Sequence, residues 1–475
     1  MNIRGSIEMA NPEGGDNGTT EETQTRTRRP TGMKAFTIIW FGQLVSLLGT
    51  GMTQFALTIW AWQATGEVTA LALVAFFSAV PQILTSPLAG AIVDRWDRKH
   101  VMMLSDLAAG IATAAVLLLH TSGRLQVWHL YVTAAFTGAF QAFQFPAYSA
   151  AVSTMLPKEQ YGRASGMISL ADAASGIVAP IAAGIALTIV GIGGIMAFDI
   201  LTFVVAIGSL LVIHIPRPEA TVEDAEGPRS LWEDSMFGFR YIFARPSLVG
   251  LLSVFLALNF ILGFSFTLFA PMILARTGDN TLILGSVQSA FGVGGIIGGL
   301  LMSAWGGPKR KIHAVLLGGA IVSLGTCFFG IGRSLPAWAA VAFALMILLP
   351  VLNGSSQAIW QAKIPPHIQG RIFATRSLMA RVAQPISLAI TGPLADWIFE
   401  PAMMPGGSLA PAFGWLVGTG PGAGMALVFV FMGLLGTLPG LAGYAFDAVR
   451  NIEDIIPDHD AVSSGATEDT PVPEE

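Results

Sequence analysis

Charge is what this chain is short of. Only 12% of its 475 residues are Asp, Glu, Lys or Arg, against about a quarter in an ordinary soluble domain, so it cannot cover itself with polar surface in water. Hydrophobic residues make up 53% and the mean hydropathy is +0.64. Cysteine is scarcer still, and the single Cys327 excludes an intramolecular disulfide framework. No Walker A sequence is present, which excludes a primary ATP-driven pump within this chain. The seven histidines are scattered without metal-ligand spacing, so neither a metal centre nor a cofactor is expected. No nucleophile–base set stands at membrane depth, which argues against an enzyme. Gly292-Val-Gly-Gly-Ile-Ile-Gly298-Gly299 lies inside an apolar run with no strand before it. Its glycine spacing reads as close helix packing rather than a nucleotide loop.

What the chain has instead is apolar runs. A helix needs about 20 such residues to cross the hydrocarbon core, and twelve runs qualify. Six lie at 36–63, 69–93, 100–120, 127–151, 166–190 and 193–215. Six more lie at 247–274, 282–305, 312–332, 336–361, 374–398 and 423–446. The expected organisation is a disordered tail over 1–34 with no signal peptide, a six-helix bundle over 35–215, a linker over 216–246, a second bundle over 247–446 and a disordered tail over 447–475. The linker holds Ser230-Leu-Trp-Glu-Asp-Ser-Met-Phe-Gly-Phe-Arg-Tyr-Ile-Phe, an amphipathic piece expected to lie along the interface. With the N-terminus inside, 22 of the 25 basic residues fall on the cytoplasmic face, and only Arg124, Arg276 and Arg333 on the other. Both termini are therefore expected in the cytoplasm of a multi-pass inner-membrane protein.

The halves echo one another. Pro157, Gly162 and Arg163 recur as Pro365, Gly370 and Arg371, each displaced by 208 positions, in the connection after the fourth run of each half. Gly307-Pro-Lys309-Arg310-Lys311 likewise joins runs 8 and 9 as 94–99 joins runs 2 and 3. A parallel repeat of two six-helix bundles is a transporter architecture, with the substrate path between the halves.

The charged turn between runs 2 and 3 carries Gly90, Asp94, Arg95, Arg98 and Lys99. It matches, position by position, the Gly-x-x-x-Asp-Arg-x-x-Arg-Arg/Lys loop of the major facilitator superfamily. With Gly42-Gln-Leu-Val-Ser, Leu104-Ser-Asp106 and the Pro157…Gly162-Arg163 loop, the chain resembles the drug-efflux branch that includes macrolide-efflux and enterobactin-exporter proteins, over about 35–446. The resemblance implies the all-α, twelve-helix major facilitator fold, with two bundles related by a pseudo-two-fold axis. It also implies that Asp94 latches a cytoplasmic gate against the start of helix 11, where Arg376 and Arg381 are available. In helix 5 the exporters' Gly-x-x-x-Gly-Pro-x-x-Gly-Gly is represented by Ser175, Ala179, Pro180, Ala183 and Gly184. Pro180 and Gly184 match, while three glycines are replaced by the next smallest residues. Where related exporters carry an acid in helix 1, this chain has Thr50 and Gly51.

Ionisable residues inside spans are costly and mark function. Asp106, Asp172, Asp199 and Asp396 are the acids in or at the ends of the runs. Asp172 is the preferred candidate for proton coupling. Asp106 is the second, with a structural role toward Arg98 as its other reading. The substrate cavity is expected to draw on Trp40, Gln43, Gln141, Gln144, Asn259, Gln288, Asn353, Gln357, Trp360 and Gln361, with Asn353, Gln357, Trp360 and Gln361 as the main contact cluster. Amides and aromatic faces with little fixed charge suit a hydrophobic or weakly polar compound. The expectation is a secondary transporter exporting such a compound by alternating access, as a proton antiporter; the alternative is an importer of a small solute. The expected partners are the bilayer, the small-molecule substrate and protons, with no nucleic acid, and the expected state is a monomer.

Overall fold

The structure is a computed structural model describing residues 31–157, 160–213, 215 and 231–458. The first half folds as α1 (Gly32–Thr65), α2 (Val68–Arg95), α3 (Arg98–Thr121), α4 (Val127–Met155), α5 (Tyr161–Ile189) and α6 (Gly191–Val212). The amphipathic piece forms α7 (Leu231–Phe243). The second half comprises α8 (Pro246–Thr277), α9 (Thr281–Trp305), α10 (Lys311–Ile331), α11 (Leu335–Lys363) and α12 (Pro366–Pro393). A π-helical turn, Leu394–Phe399, continues α12, and α13 (Glu400–Met403) and α14 (Ala410–Val417) lead into α15 (Ala423–Ala445). Two short helices follow, α16 (Asp447–Arg450) and α17 (Ile452–Ile455).

Ten stretches among the described residues are long and apolar enough to cross a membrane on their own, and α4 and α12 are the two long helices that are not. The twelve runs are thus twelve helices. Two of them give up hydropathy to Gln141 and Gln144, and to Arg376, Arg381 and Gln384. A helix whose polar side faces protein or a wet cavity, not lipid, tolerates that loss. The outward surface carries bare apolar side chains such as Leu118, Val204, Leu300 and Leu438, as lipid contact requires.

The repeat is visible in the packing. In the first half α2 packs on α4, α1 on α5 and α6, and α3 on α4 and α6. In the second, α9 packs on α11, α8 on α12 and α15, and α10 on α11 and α15, the same pattern one repeat later. Across the halves α5 meets α9 and α2 meets α12, again exchanged by the pseudo-two-fold axis. Small contacts repeat as well. Tyr161 donates from Oη to the Ser153 carbonyl at 3.0 Å, and Gln369 donates from Nε2 to the Gln361 carbonyl at 3.1 Å. Both members of each pair are displaced by the same 208 positions as the loop motif.

The tail expected to be disordered from 447 begins as packed structure. Val449 and Ile452 are buried against α8 and α10. Glu453 accepts from the backbone N–H groups of Lys311 and Ile312, both at 3.1 Å, and so caps the start of α10. Lys363 donates to the Glu453 carbonyl at 2.6 Å and pairs with Asp458 at 2.7 Å. Unpaired N–H groups at a helix start need such an acceptor. Acid-rich composition alone did not reveal that these particular acids have helix ends to meet. Within the linker, Ile242 of α7 is buried in the core of the second half, and α7 lies against α12.

The apolar cores describe the state of the molecule. We call the end where α1 begins the near end, and the end where α1 stops the far end. At the near end each half has its own core, Phe36, Ile39, Met102 and Leu210 in the first and Leu248, Val315, Trp360 and Ile372 in the second. At the far end one continuous core joins both halves, with Phe55, Trp62 and Val68 packed among Phe264, Leu274, Phe329 and Ala395. Among the described residues, the apolar core shared by the two halves is therefore the one at the far end.

Candidate functional site

Between the halves lies a cavity of about 1250 Å³ walled by helices of both. Of the residues expected there, Trp40, Gln43, Gln141, Gln144, Asn259, Gln288 and Asn353 do line it. Gln357, Trp360 and Gln361 do not. The Gln357 Oε1 accepts from Arg376 at 2.9 Å, Trp360 is fully buried in the near-end core of its half, and Gln361 is exposed beyond the cavity. One turn of helix puts these residues on one face, but that face looks onto α12 below the cavity. The wall is also less neutral than expected, because Asp172 and Arg381 stand exposed on it.

The acids are held in different ways. Asp106 on α3 accepts from Gln43 Nε2 at 2.9 Å and Gln144 Nε2 at 3.0 Å, and Gln144 also donates to Gln43 Oε1 at 3.1 Å. This triad ties α1, α3 and α4 together. The expected link from Asp106 to Arg98 is not made, since Arg98 donates to the Ala150 carbonyl at 2.7 Å. Lys99 donates to the Leu211 and Ile213 carbonyls at 3.3 and 2.9 Å, and Asp97 caps α3 through the Lys99 N–H. The basic end of the charged turn thus closes the exposed carbonyl end of α6. Gly90, Asp94 and Arg95, the other members of the expected gate, lie outside the described residues as side chains. Of their expected partners, Arg376 is engaged inside its own half, on Gln357, on Ser356 Oγ at 3.2 Å and over the Trp360 ring at 5.1 Å. Arg381 reaches the cavity.

Two of the acids that the sequence singled out have partners that it did not reveal. Asp199, fully buried on α6, is surrounded by the hydroxyls of Thr50 and Thr113 at 3.3 Å and Thr202 at 3.4 Å, with Thr53 beside them. The only hint was threonine at three-residue spacing on α1, and Thr202 three residues after Asp199 on α6. The second is Asp396 in the π-helical turn. The N-cap residue of α2, Glu67, makes no side-chain cap. Asp396, from the other half of the molecule, accepts instead from the Val68 N–H at 2.9 Å, the Thr69 N–H at 2.7 Å and the Thr69 hydroxyl at 2.6 Å. A carboxylate on a helix N-terminus is a favourable charge-assisted pairing.

The other cross-half hydrogen bonds described also lie toward the far end. Trp62 Nε1 donates to Asp279 Oδ1 at 2.9 Å, and Ser289 donates to the Ile177 carbonyl at 2.7 Å. The helix-5 motif supplies the surface they need. Ser175, Ala179, Pro180, Ala183 and Gly184 are all buried, Ser175 donating to the Leu47 carbonyl of α1 at 3.0 Å. On the other side Gly285 of α9 sits so close that a Cβ there would be 2.8 Å from the Pro180 carbonyl oxygen. Small residues let both neighbours approach α5.

The family model described as Major Facilitator Superfamily matches residues 39–388. This chain belongs to the major facilitator superfamily. It is a membrane transporter and not an enzyme, spanning the bilayer several times. Macrolide efflux protein A of Streptococcus pyogenes is 27% identical over 368 residues, covering 76% of this chain and 90% of the relative. Multidrug efflux pump Tap of Mycolicibacterium fortuitum is 28% identical over 386 residues, covering 76% and 88%. Both relatives are named for efflux. Among solved structures, a bacterial homologue of the human lysosomal transporter Spinster, inward-facing and unoccupied, superposes with a TM-score of 0.64 at 15% identity over 86% of this chain and 98% of its own. A point mutant of the nucleoside transporter NupG gives 0.66 at 11% identity over 86% and 99%. At those identities the likeness is one of fold.

Proposed function

We propose that this transporter exports a small, hydrophobic or weakly polar organic compound from the cell by alternating access, as a proton antiporter. The observation that carries the reading is the cavity, lined by amides, aromatic rings and apolar side chains and sealed at the far end by Asp396 on α2. The near end, where described basic residues such as Lys34, Arg98, Lys99, Arg310 and Lys311 lie, is the cytoplasmic end in this reading. The compound enters there, the near ends close, the far seal opens, and the compound leaves. Relatives named for macrolide and multidrug efflux support the direction and the kind of cargo. Asp106, Asp172 and Asp199 are the carboxylates within reach of the cavity that can take part in moving a proton. The protein is proposed to work as a monomer, since one chain supplies both halves of the path.

The reading is tested by accumulation of dyes, macrolides and siderophores in cells with and without the protein, across an imposed pH gradient. Reduced accumulation that depends on the gradient is expected. Equal accumulation at every gradient overturns proton coupling, and increased accumulation reverses the direction in favour of an importer.

The charged turn keeps its proposed role as the near-end latch, on the strength of its match to the family loop. Asp94→Asn is expected to leave insertion and expression unchanged and to slow transport, measured in reconstituted vesicles. A fully active Asp94→Asn protein contradicts the latch.

A further inference from the structure

We infer that Asp199, enclosed by the hydroxyls of Thr50, Thr53, Thr113 and Thr202, is a proton-binding site and the point at which this transporter couples to a proton gradient. The binding site stands on geometry; its coupling role rests on the antiport reading above.

Burial comes first. Asp199 has no solvent exposure and lies within the apolar helix α6. A carboxylate there is costly unless a cation neutralises it. The helices packed on α6 are α1, α3 and α5, and no described ion pair from them reaches Asp199. On α1 the only charged side chain is Lys34, at the near end. On α3, Arg98, Lys99 and His100 are at the near end, His120 is at the far end beside Gly193, and Asp106 is bound to Gln43 and Gln144. On α5, Arg163 is at the near end and Asp172 stands exposed on the cavity wall.

The hydrogen-bond inventory then separates Asp199 from Asp106. Both oxygens of Asp106 accept from amide N–H groups, which can only donate, the arrangement an ionised carboxylate needs. Around Asp199 every partner is a hydroxyl, which can also accept. Thr202 donates its single proton to the Asp199 main-chain carbonyl at 2.7 Å, so toward Oδ1, at 3.4 Å, it has only lone pairs to offer. The buried Thr53 hydroxyl lies beside the same carboxyl and completes the enclosure. Thr50 and Thr113 stand at 3.3 Å, one on each carboxyl oxygen. This surround suits a protonated carboxyl, because its O–H finds an acceptor in a hydroxyl such as Thr202.

Access is built in. Thr50, Thr53, Thr113 and Asp199 all belong to the cavity wall, so a proton arriving through the cavity has only the hydroxyls to pass. Gly49 keeps α1 close to α6, since a Cβ there would run into Thr202 Oγ1 and Asp199 Oδ1. The step is a simple one: the carboxylate binds one proton to become the neutral acid, and returns it when the other end of the cavity opens.

The test reads the proton directly. Infrared spectra of the purified, substrate-free protein labelled with ¹³C-aspartate, near neutral pH in sodium-free buffer, are expected to show a protonated-carboxyl band. That band is expected to vanish in Asp199→Asn and to persist in Asp106→Asn and Asp172→Asn. In Asp199→Glu, which serves if Asp199→Asn does not fold, it is expected to be replaced by a band without the ¹³C shift, since glutamate does not carry the label. Absence of the band in the wild type, its survival in Asp199→Asn, or its loss on adding sodium chloride overturns the site. Coupling is read separately, as accumulation of a radiolabelled macrolide in reconstituted vesicles. Asp199→Asn is expected to exchange macrolide without a gradient but to lose accumulation driven by pH. If it keeps pH-driven accumulation, the coupling role is overturned. If the wild type has none while the band result holds, antiport itself fails and the proton site survives.

Discussion

Asp396→Ala is expected to open the far end of the cavity. The substitution strips the first turn of α2 of its acceptor, leaving the Val68 and Thr69 N–H groups and the Thr69 hydroxyl without it. Losing a helix cap costs about 0.5–2 kcal/mol, and here the cap joins the two halves, so the loss falls on the far-closed state alone. A cost of about 1–2 kcal/mol, the upper part of that range, shifts a two-state balance by roughly 5- to 30-fold. The residues of the fused far-end core and the Trp62–Asp279 bond remain to resist opening, so the shift enlarges a minor population and does not unfold the protein. With Cys327 replaced by serine and Leu71, on the cavity wall, replaced by cysteine, a membrane-impermeant maleimide added from the far side reads the change. Faster labelling in the Asp396→Ala background is expected. An unchanged rate contradicts the cap as a seal.

The largest effect on folding is expected at Gly298. The sequence offered two overlapping small-residue pairs, Gly294/Gly298 and Gly295/Gly299, without saying which one packs. The structure separates them. A Cβ on Gly294 or Gly298 would be 2.5 Å from the Phe343 or Ile347 carbonyl oxygen of α11, whereas one on Gly295 or Gly299 meets nothing within 4 Å. Helix backbones in that contact cannot yield as side chains do. Gly298→Val is therefore expected to cost about 3 kcal/mol or more, the upper range for overpacking, and to cut the yield of folded protein. Gly299→Val, one residue on, is expected to leave melting temperature and yield close to wild type. Equal loss in both variants places the helix contact elsewhere.

Much of the fold was legible because its signals are local or repeated. Span length and the Pro157/Pro365 loop echo do not require knowing which helix meets which. The repeat even carried down to the Tyr161 and Gln369 contacts. The tail was misjudged because Glu453 and Asp458 look like ordinary acids until α10 and Lys363 are placed beside them. The cavity was half legible for a related reason. Helical spacing puts Asn353, Gln357 and Gln361 on one side of α11, but not whether that side faces open space or Arg376. Asp199 and its threonines lie 149 and 86 positions apart in two of their contacts, and Asp396 reaches Val68 over 328. Pairings of that range depend on how the helices and halves assemble, which no local pattern encodes.

The central claim is export driven by protons through the cavity between the halves. Inside-out membrane vesicles containing the protein, acidified within and supplied with a radiolabelled macrolide outside, test it most directly. The account predicts uptake against the concentration gradient that stops when the pH difference is collapsed. Uptake that survives collapse of the pH difference, or its absence for every compound the protein binds, contradicts it.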